Sequence, residues 1–150
     1  MNSTKAKALL DSFYMARRIL DLLPELPEGV LPSYIRYLEA IIKLKENQNN
    51  VKISELSSAL NLPRPGVTRT VNSMVDKGYL KKDMSLDDGR VVYISLTQSG
   101  YDLFEKFNKI YFEDLSKDLN KISLEDADIT VETITKFYQV MWERRQGHHE

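Results

Sequence analysis

The sequence predicts a mainly α chain with a small β-hairpin wing, a winged helix-turn-helix joined to a helical dimerisation domain. Three observations predict it. Two short amphipathic periods, split by a tight break, run from Ile53 to Val75. A hairpin signal follows between Leu80 and Leu96. Long apolar stripes at both chain ends have no room in so small a core.

Taken in order, residues 5–23 read as an amphipathic helix with Leu9, Leu10, Phe13, Ala16, Ile19, Leu20 and Leu23 inward. Pro24 and Pro27-Glu28-Gly29 stop it. A second helix is expected from about Pro32 to Glu46, burying Tyr34, Leu38, Ile41 and Ile42. Asn47 to Asn50 form a turn, and Val51 is placed as a short strand against the wing. Ile53, Leu56 and Leu60 mark one helix, and Asn61-Leu62-Pro63 breaks it. Val67, Val71, Met74 and Val75 mark the next, with Gly78 past its end as a left-handed cap. Two short helices across a tight turn make a helix-turn-helix.

Leu80, Lys82 and Met84 start a strand, Asp87-Asp88-Gly89 is its tip, and Val91 to Leu96 returns. Thr97 caps a long helix expected to reach Asn120, with Phe104, Phe107, Tyr111, Leu115 and Leu119 as its stripe. Ser123 and Asp126 resemble a capping box before a last helix carrying Ala127, Val131, Ile134, Tyr138 and Met141. Residues 31–97 are thus expected to form the winged helix, and residues 1–30 and 98–150 the dimerisation region. Pairing the terminal stripes with a second copy in a two-fold dimer would bury both.

Composition narrows the function classes. The chain has no cysteine, which excludes disulfides and thiol chemistry. Its only histidines are His148 and His149, so no metal site or cofactor is expected. No apolar run approaches the roughly 20 residues of a membrane span, and MNSTKAKALLDSF lacks a signal-peptide core, so a cytoplasmic location is expected. No nucleophile–base pair, phosphate loop or metal-spaced cluster supports an enzyme.

The second helix of the pair carries the chemistry. Winding at about 100° per residue sets Pro65, Gly66, Arg69, Asn72 and Ser73 opposite its apolar stripe, with Thr68 at the border. Such a short, polar face suits the major groove of double-stranded DNA. Arginine can reach guanine O6 and N7, asparagine can pair with adenine, and threonine can take a phosphate or a thymine methyl. Residues 63–82 hold Arg64, Arg69, Lys77, Lys81 and Lys82 against Asp76, a local net of +4 in a chain of net −1. Positive charge is concentrated where DNA would lie. Asp76 is expected outside the groove or ion-paired with Lys77 or Lys81. In the wing, Asp88 is expected to hold the turn and Arg90 to reach phosphate or the minor groove. A winged helix can also serve as a protein-interaction module without DNA, a reading the basic cluster disfavours.

The order ISELSSAL, VTRTVNSMVDKGYL, DDGR and VYISLTQSG resembles the multiple-antibiotic-resistance regulator (MarR) family of transcription factors. The resemblance implies a homodimeric repressor with two winged helices reading a pseudo-palindromic operator. It also implies a small-molecule pocket, for which Tyr14, Tyr34 and Tyr37 are the candidates and small aromatic acids the candidate effectors. The alternative for these tyrosines is packing at the dimer interface. Pro63 stands where family members often cap the recognition helix with Ser or Thr, and Pro65 and Gly66 follow it. Proline supplies no capping oxygen, whereas glycine permits close backbone approach to a phosphate.

Overall fold

A computed structural model describes residues 1–147; the expectation attached to His148 and His149 lies outside the described residues. The helix-turn-helix forms where its two periods place it. Helix α2 spans Pro32–Lys45, strand β1 Val51–Lys52, α3 Ile53–Leu60 and α4 Arg64–Asp76. Strands β2 (Leu80–Met84) and β3 (Val92–Leu96) make the wing. The sheet is antiparallel in the order β1-β3-β2, with Val51 opposite Ile94 and Leu80 opposite Leu96.

Local chemistry fixes each junction. Glu55 accepts the Lys52 N–H at 2.7 Å and Gln48 Nε2 at 2.9 Å, tying the preceding turn to the first turn of α3. Helix α3 ends on Asn61 in the left-handed region, φ 51°, and the Leu62 N–H returns to the Ser57 carbonyl at 3.1 Å. At the end of α4, Gly78 takes φ +79° and the Tyr79 N–H reaches the Met74 carbonyl at 2.9 Å. Both are the left-handed helix endings that Asn and Gly favour.

The core is the set of stripes folded onto one another. Leu38, Ile41, Val51, Leu56, Val67, Val71, Met74, Leu80 and Ile94 are buried, joined by Tyr34 and Tyr37 of α2. Each such aliphatic side chain contributes about 1.5–3 kcal/mol by leaving water. Helix α5 (Gln98–Phe104) closes this core. Thr97 accepts the Gly100 N–H at 3.1 Å and donates to the Gly78 carbonyl at 2.5 Å, clamping the start of α5 to the end of α4.

Three expectations need correction. Helix α1 runs Ser3–Leu20, and the single chain leaves most of its expected inward face uncovered: Leu9, Phe13 and Ala16 are half-buried, whereas Ile19 and Leu20 are 58% and 64% exposed. Expected as one helix, the run from Thr97 to Asn120 is a succession: α5, a π-helical stretch Glu105–Ile110, α6 (Tyr111–Asp118) and a 3₁₀ turn Leu119–Lys121. A π stretch holds more residues per turn, so it rotates the phase of all that follows. Leu103, ahead of that stretch, is the buried residue here; Phe104, Phe107, Tyr111 and Leu115 of the expected stripe are half-buried, and Leu119 is exposed. The Ser123–Asp126 box is half made. Ser123 Oγ accepts the Asp126 N–H at 3.0 Å, but the Asp126 carboxylate takes the Ser123 hydroxyl at 2.7 Å instead of its N–H.

The chain divides into two compact units, Met1–Lys109 and the residues from Ile110 on. In the second, α7 (Leu124–Gly147) has no buried residue. Val131, Ile134, Tyr138, Met141 and Trp142 all stand exposed along it, and the rings of Tyr138 and Trp142 stack with centroids 6.3 Å apart.

Candidate nucleic-acid interface

The candidate surface is the outer face of α4 together with the wing. Arg64, Pro65, Arg69 and Asn72 stand exposed on the helix, while Gly66, Thr68 and Ser73 are half-buried. Pro63, with φ −60° and no side-chain hydrogen bond, precedes the helix, and Pro65 sits in the first turn where its missing N–H costs nothing. The Thr68 hydroxyl donates to the Arg64 carbonyl at 2.9 Å and so holds that first turn.

Ser73 does not point outward as helical phase suggested. Its Oγ lies 2.6 Å from the Tyr34 hydroxyl, which makes it a fastener between α4 and α2. Tyr34, buried among apolar side chains, needs such a partner for its hydroxyl. Of the five basic residues, Lys77 leans over the turn at Gly29, where an added Cβ would lie 2.6 Å from its Nζ. Arg64, Arg69, Lys81 and Lys82 remain exposed beside the outer face. Asp76 is exposed, and among the described residues it forms no ion pair with Lys77 or Lys81.

One contact is invisible in the sequence. Lys82 of β2 donates to Asn72 Oδ1 of α4. The residues are ten apart, on a strand and a helix, and only the signature of a wing folding back over the recognition helix could have paired them.

The wing tip is built by its own side chains. Ser85 Oγ accepts the N–H groups of Asp87 and Asp88, both at 3.3 Å, and Asp88 Oδ1 accepts the Arg90 N–H at 3.0 Å. Asp88 therefore holds the backbone that carries Arg90, and the Arg90 side chain is exposed beyond it.

Gly66 has no protein atom within 4 Å of where a Cβ would be, and its φ is not left-handed. Nothing inside the chain requires a glycine there. Gly66→Ala is expected to stabilise the fold by about 0.5–1 kcal/mol through helix propensity, read as a raised midpoint in thermal unfolding. A lowered midpoint would show that the first turn of α4 depends on the missing side chain.

The tyrosines expected around an effector separate into two environments. Tyr34 and Tyr37 belong to the core, 2% and 4% exposed, whereas Tyr14 is 68% exposed on α1. Tyr34 shows only an edge to a shallow groove that it lines with Leu31, Gly66, Arg69, Thr70 and Ser73.

Residues 28–91, from the turn before α2 to the wing, match the model of the MarR family. Streptococcus pneumoniae FabT, solved in complex with DNA, is 19% identical with a TM-score of 0.66, over 95% of this chain and 99% of that one. S. aureus MepR in a DNA complex is 17% identical with a TM-score of 0.61, over 94% of this chain and 99% of that one. A mutant E. coli MarR complexed with operator DNA is 20% identical with a TM-score of 0.58, over 73% and 76%. At these identities the structures speak for a shared fold, and the family model covers the helix-turn-helix and most of the wing. Over residues 28–91 the chain is similar to the MarR family.

Proposed function

We propose that this protein is a sequence-specific DNA-binding transcription regulator that acts as a homodimeric repressor. The observation that carries the reading is the exposed cationic face of α4, with Arg64 and Arg69, set beside a wing that extends Lys81, Lys82 and Arg90. Three relatives of the same fold were solved with DNA. A gel-shift series against duplex DNA from upstream of the protein's own gene tests it. Binding should weaken steeply with salt, as expected when several Lys and Arg displace counterions from phosphates. Absence of salt-sensitive binding to any duplex would remove the reading and favour a protein-interaction module.

The dimer is supported by two exposed apolar surfaces, one on each compact unit. Helix α1 exposes Leu10, Tyr14, Met15, Ile19 and Leu20, and α7 exposes Val131, Ile134, Tyr138, Met141 and Trp142. Patches of this kind are uncommon on soluble monomers, and two-fold pairing is the commonest way to cover them. It would also present two recognition helices to successive major grooves. Deleting residues 1–23, or all residues after Lys121, is expected to yield monomer or aggregate in sedimentation. A stable dimer surviving both deletions would overturn the assignment of the interface.

Relief of repression by a small aromatic effector rests on the family resemblance. Because Tyr34 and Tyr37 are core residues, a ligand touching them would have to open the junction between α2 and its neighbours. Calorimetry with salicylate and similar acids is expected to show binding that weakens operator affinity. Silence across such a panel, with DNA binding intact, would favour a regulator without an effector.

A further inference from the structure

The contact between Lys82 and Asn72 bears on which base the recognition helix reads. Side chains alternate along β2, so Lys82 shares the face of Leu80, which is buried towards the core, and Lys81 and Asp83 take the other face. Asp83 Oδ2 lies 3.5 Å from Ser95 Oγ, and among the described residues Lys82 has no carboxylate partner. Its ammonium instead crosses to the outward face of α4 and meets the Asn72 carboxamide.

An ammonium only donates, so the atom it meets must be the carboxamide oxygen, and this fixes which way the amide points. What Asn72 then offers outward is its NH2, a pair of donors. Pairing with adenine needs one acceptor and one donor, because adenine presents the N6 amino group beside N7. Guanine presents O6 and N7, both acceptors. The oxygen keeps a second lone pair, but the ammonium beside it crowds and repels the approaching N6 amino group of adenine, whereas the O6 and N7 acceptors of guanine are drawn to the same donors.

We infer that Lys82 sets the base preference of the recognition helix by occupying Asn72 Oδ1, so that Asn72 reads guanine and not adenine. Lys82 is then a positioning residue whose effect on sequence is exerted through Asn72. The inference rests on the DNA-binding reading above, and it reverses the adenine pairing expected of Asn72 from sequence.

Selection from a random duplex library tests it with the full-length protein and three variants. Asn72→Ala identifies the position in each half-site whose preference depends on this residue. At that position the unaltered protein is expected to enrich guanine. Lys82→Met, which keeps the length of the side chain and removes the donor, is expected to shift the guanine-to-adenine ratio towards adenine by about tenfold or more. Lys82→Arg, again a donor only, should retain guanine. Any grip of Lys82 on a phosphate serves all sequences alike, so its removal cancels in the ratio. Adenine at that position in the unaltered protein, or the same base in the unaltered protein and Lys82→Met, would overturn the inference while leaving the regulator intact. An Asn72→Ala variant that keeps every base preference would overturn it as well. If the unaltered protein retains no duplex at all, the DNA-binding reading fails and takes the inference with it.

Discussion

Replacing Gly100 with alanine should cost the fold about 3 kcal/mol, at the upper end for an overpacked site. A Cβ at this position would lie 2.2 Å from the Tyr79 carbonyl oxygen and 3.2 Å from its carbon. Both are backbone atoms, so no rotamer change relieves the clash. The carbonyl cannot retreat freely either, because it accepts the Thr97 N–H at 3.1 Å. On the far side Leu38 Cδ2 is 3.5 Å away, in a core with no slack. The start of α5 must therefore lift from the α4–β2 junction, taking with it the Thr97 clamp to Gly78. Circular dichroism should show a midpoint lowered by on the order of 10 °C for a chain of this size. Gly66→Ala is the internal contrast, since its added methyl meets nothing and its effect has the opposite sign. A Gly100→Ala midpoint within about 1 °C of the unaltered protein would show that the close approach is not rigid.

That glycine also separates what is legible in the sequence from what only the fold brings together. Thr97 and Gly100 stand out in the sequence as the start of a helix, and the cap forms; that Gly100 presses on Tyr79 requires the crossing of two distant segments. The stripes of α3 and α4 were legible because each buries one face against neighbours close in the chain, and periodicity reports that directly. Helix α1 carries a comparable period and α7 a weaker one, yet no residue of either is buried, because periodicity reports that a face is apolar and not what covers it. The π stretch left no mark, since a phase shift among scattered Phe, Tyr and Leu looks like a looser stripe. At the candidate interface the sequence marks Arg64, Arg69 and Arg90 as exposed cations, whereas it carries no sign of what holds Ser73 and Asn72. Both have side chains held by partners, Tyr34 and Lys82, that helical phase cannot reveal.

The two arginines should separate experimentally into different kinds of contact. Arg69 stands on the exposed face of α4, where base edges of a major groove come within reach. Arg90 stands at the end of a wing whose tip is held by Ser85 and Asp88, a geometry suited to backbone or minor groove. Replacing Arg90 with alanine is expected to weaken binding to cognate and scrambled duplexes alike. It should also lower the slope of log affinity against log salt by about one unit for each phosphate no longer neutralised. Arg69→Ala is expected to cost about 1–3 kcal/mol on cognate DNA and less on scrambled DNA, because a bidentate base contact discriminates. Asp88→Ala should reproduce the Arg90→Ala loss only in part, since it frees the Arg90 N–H while leaving the guanidinium present. Titrating each variant against both duplexes across a salt series distinguishes these outcomes. Unchanged affinity and slope for Arg90→Ala would falsify the wing contact, and equal losses on both duplexes for Arg69→Ala would reduce that residue to a phosphate clamp.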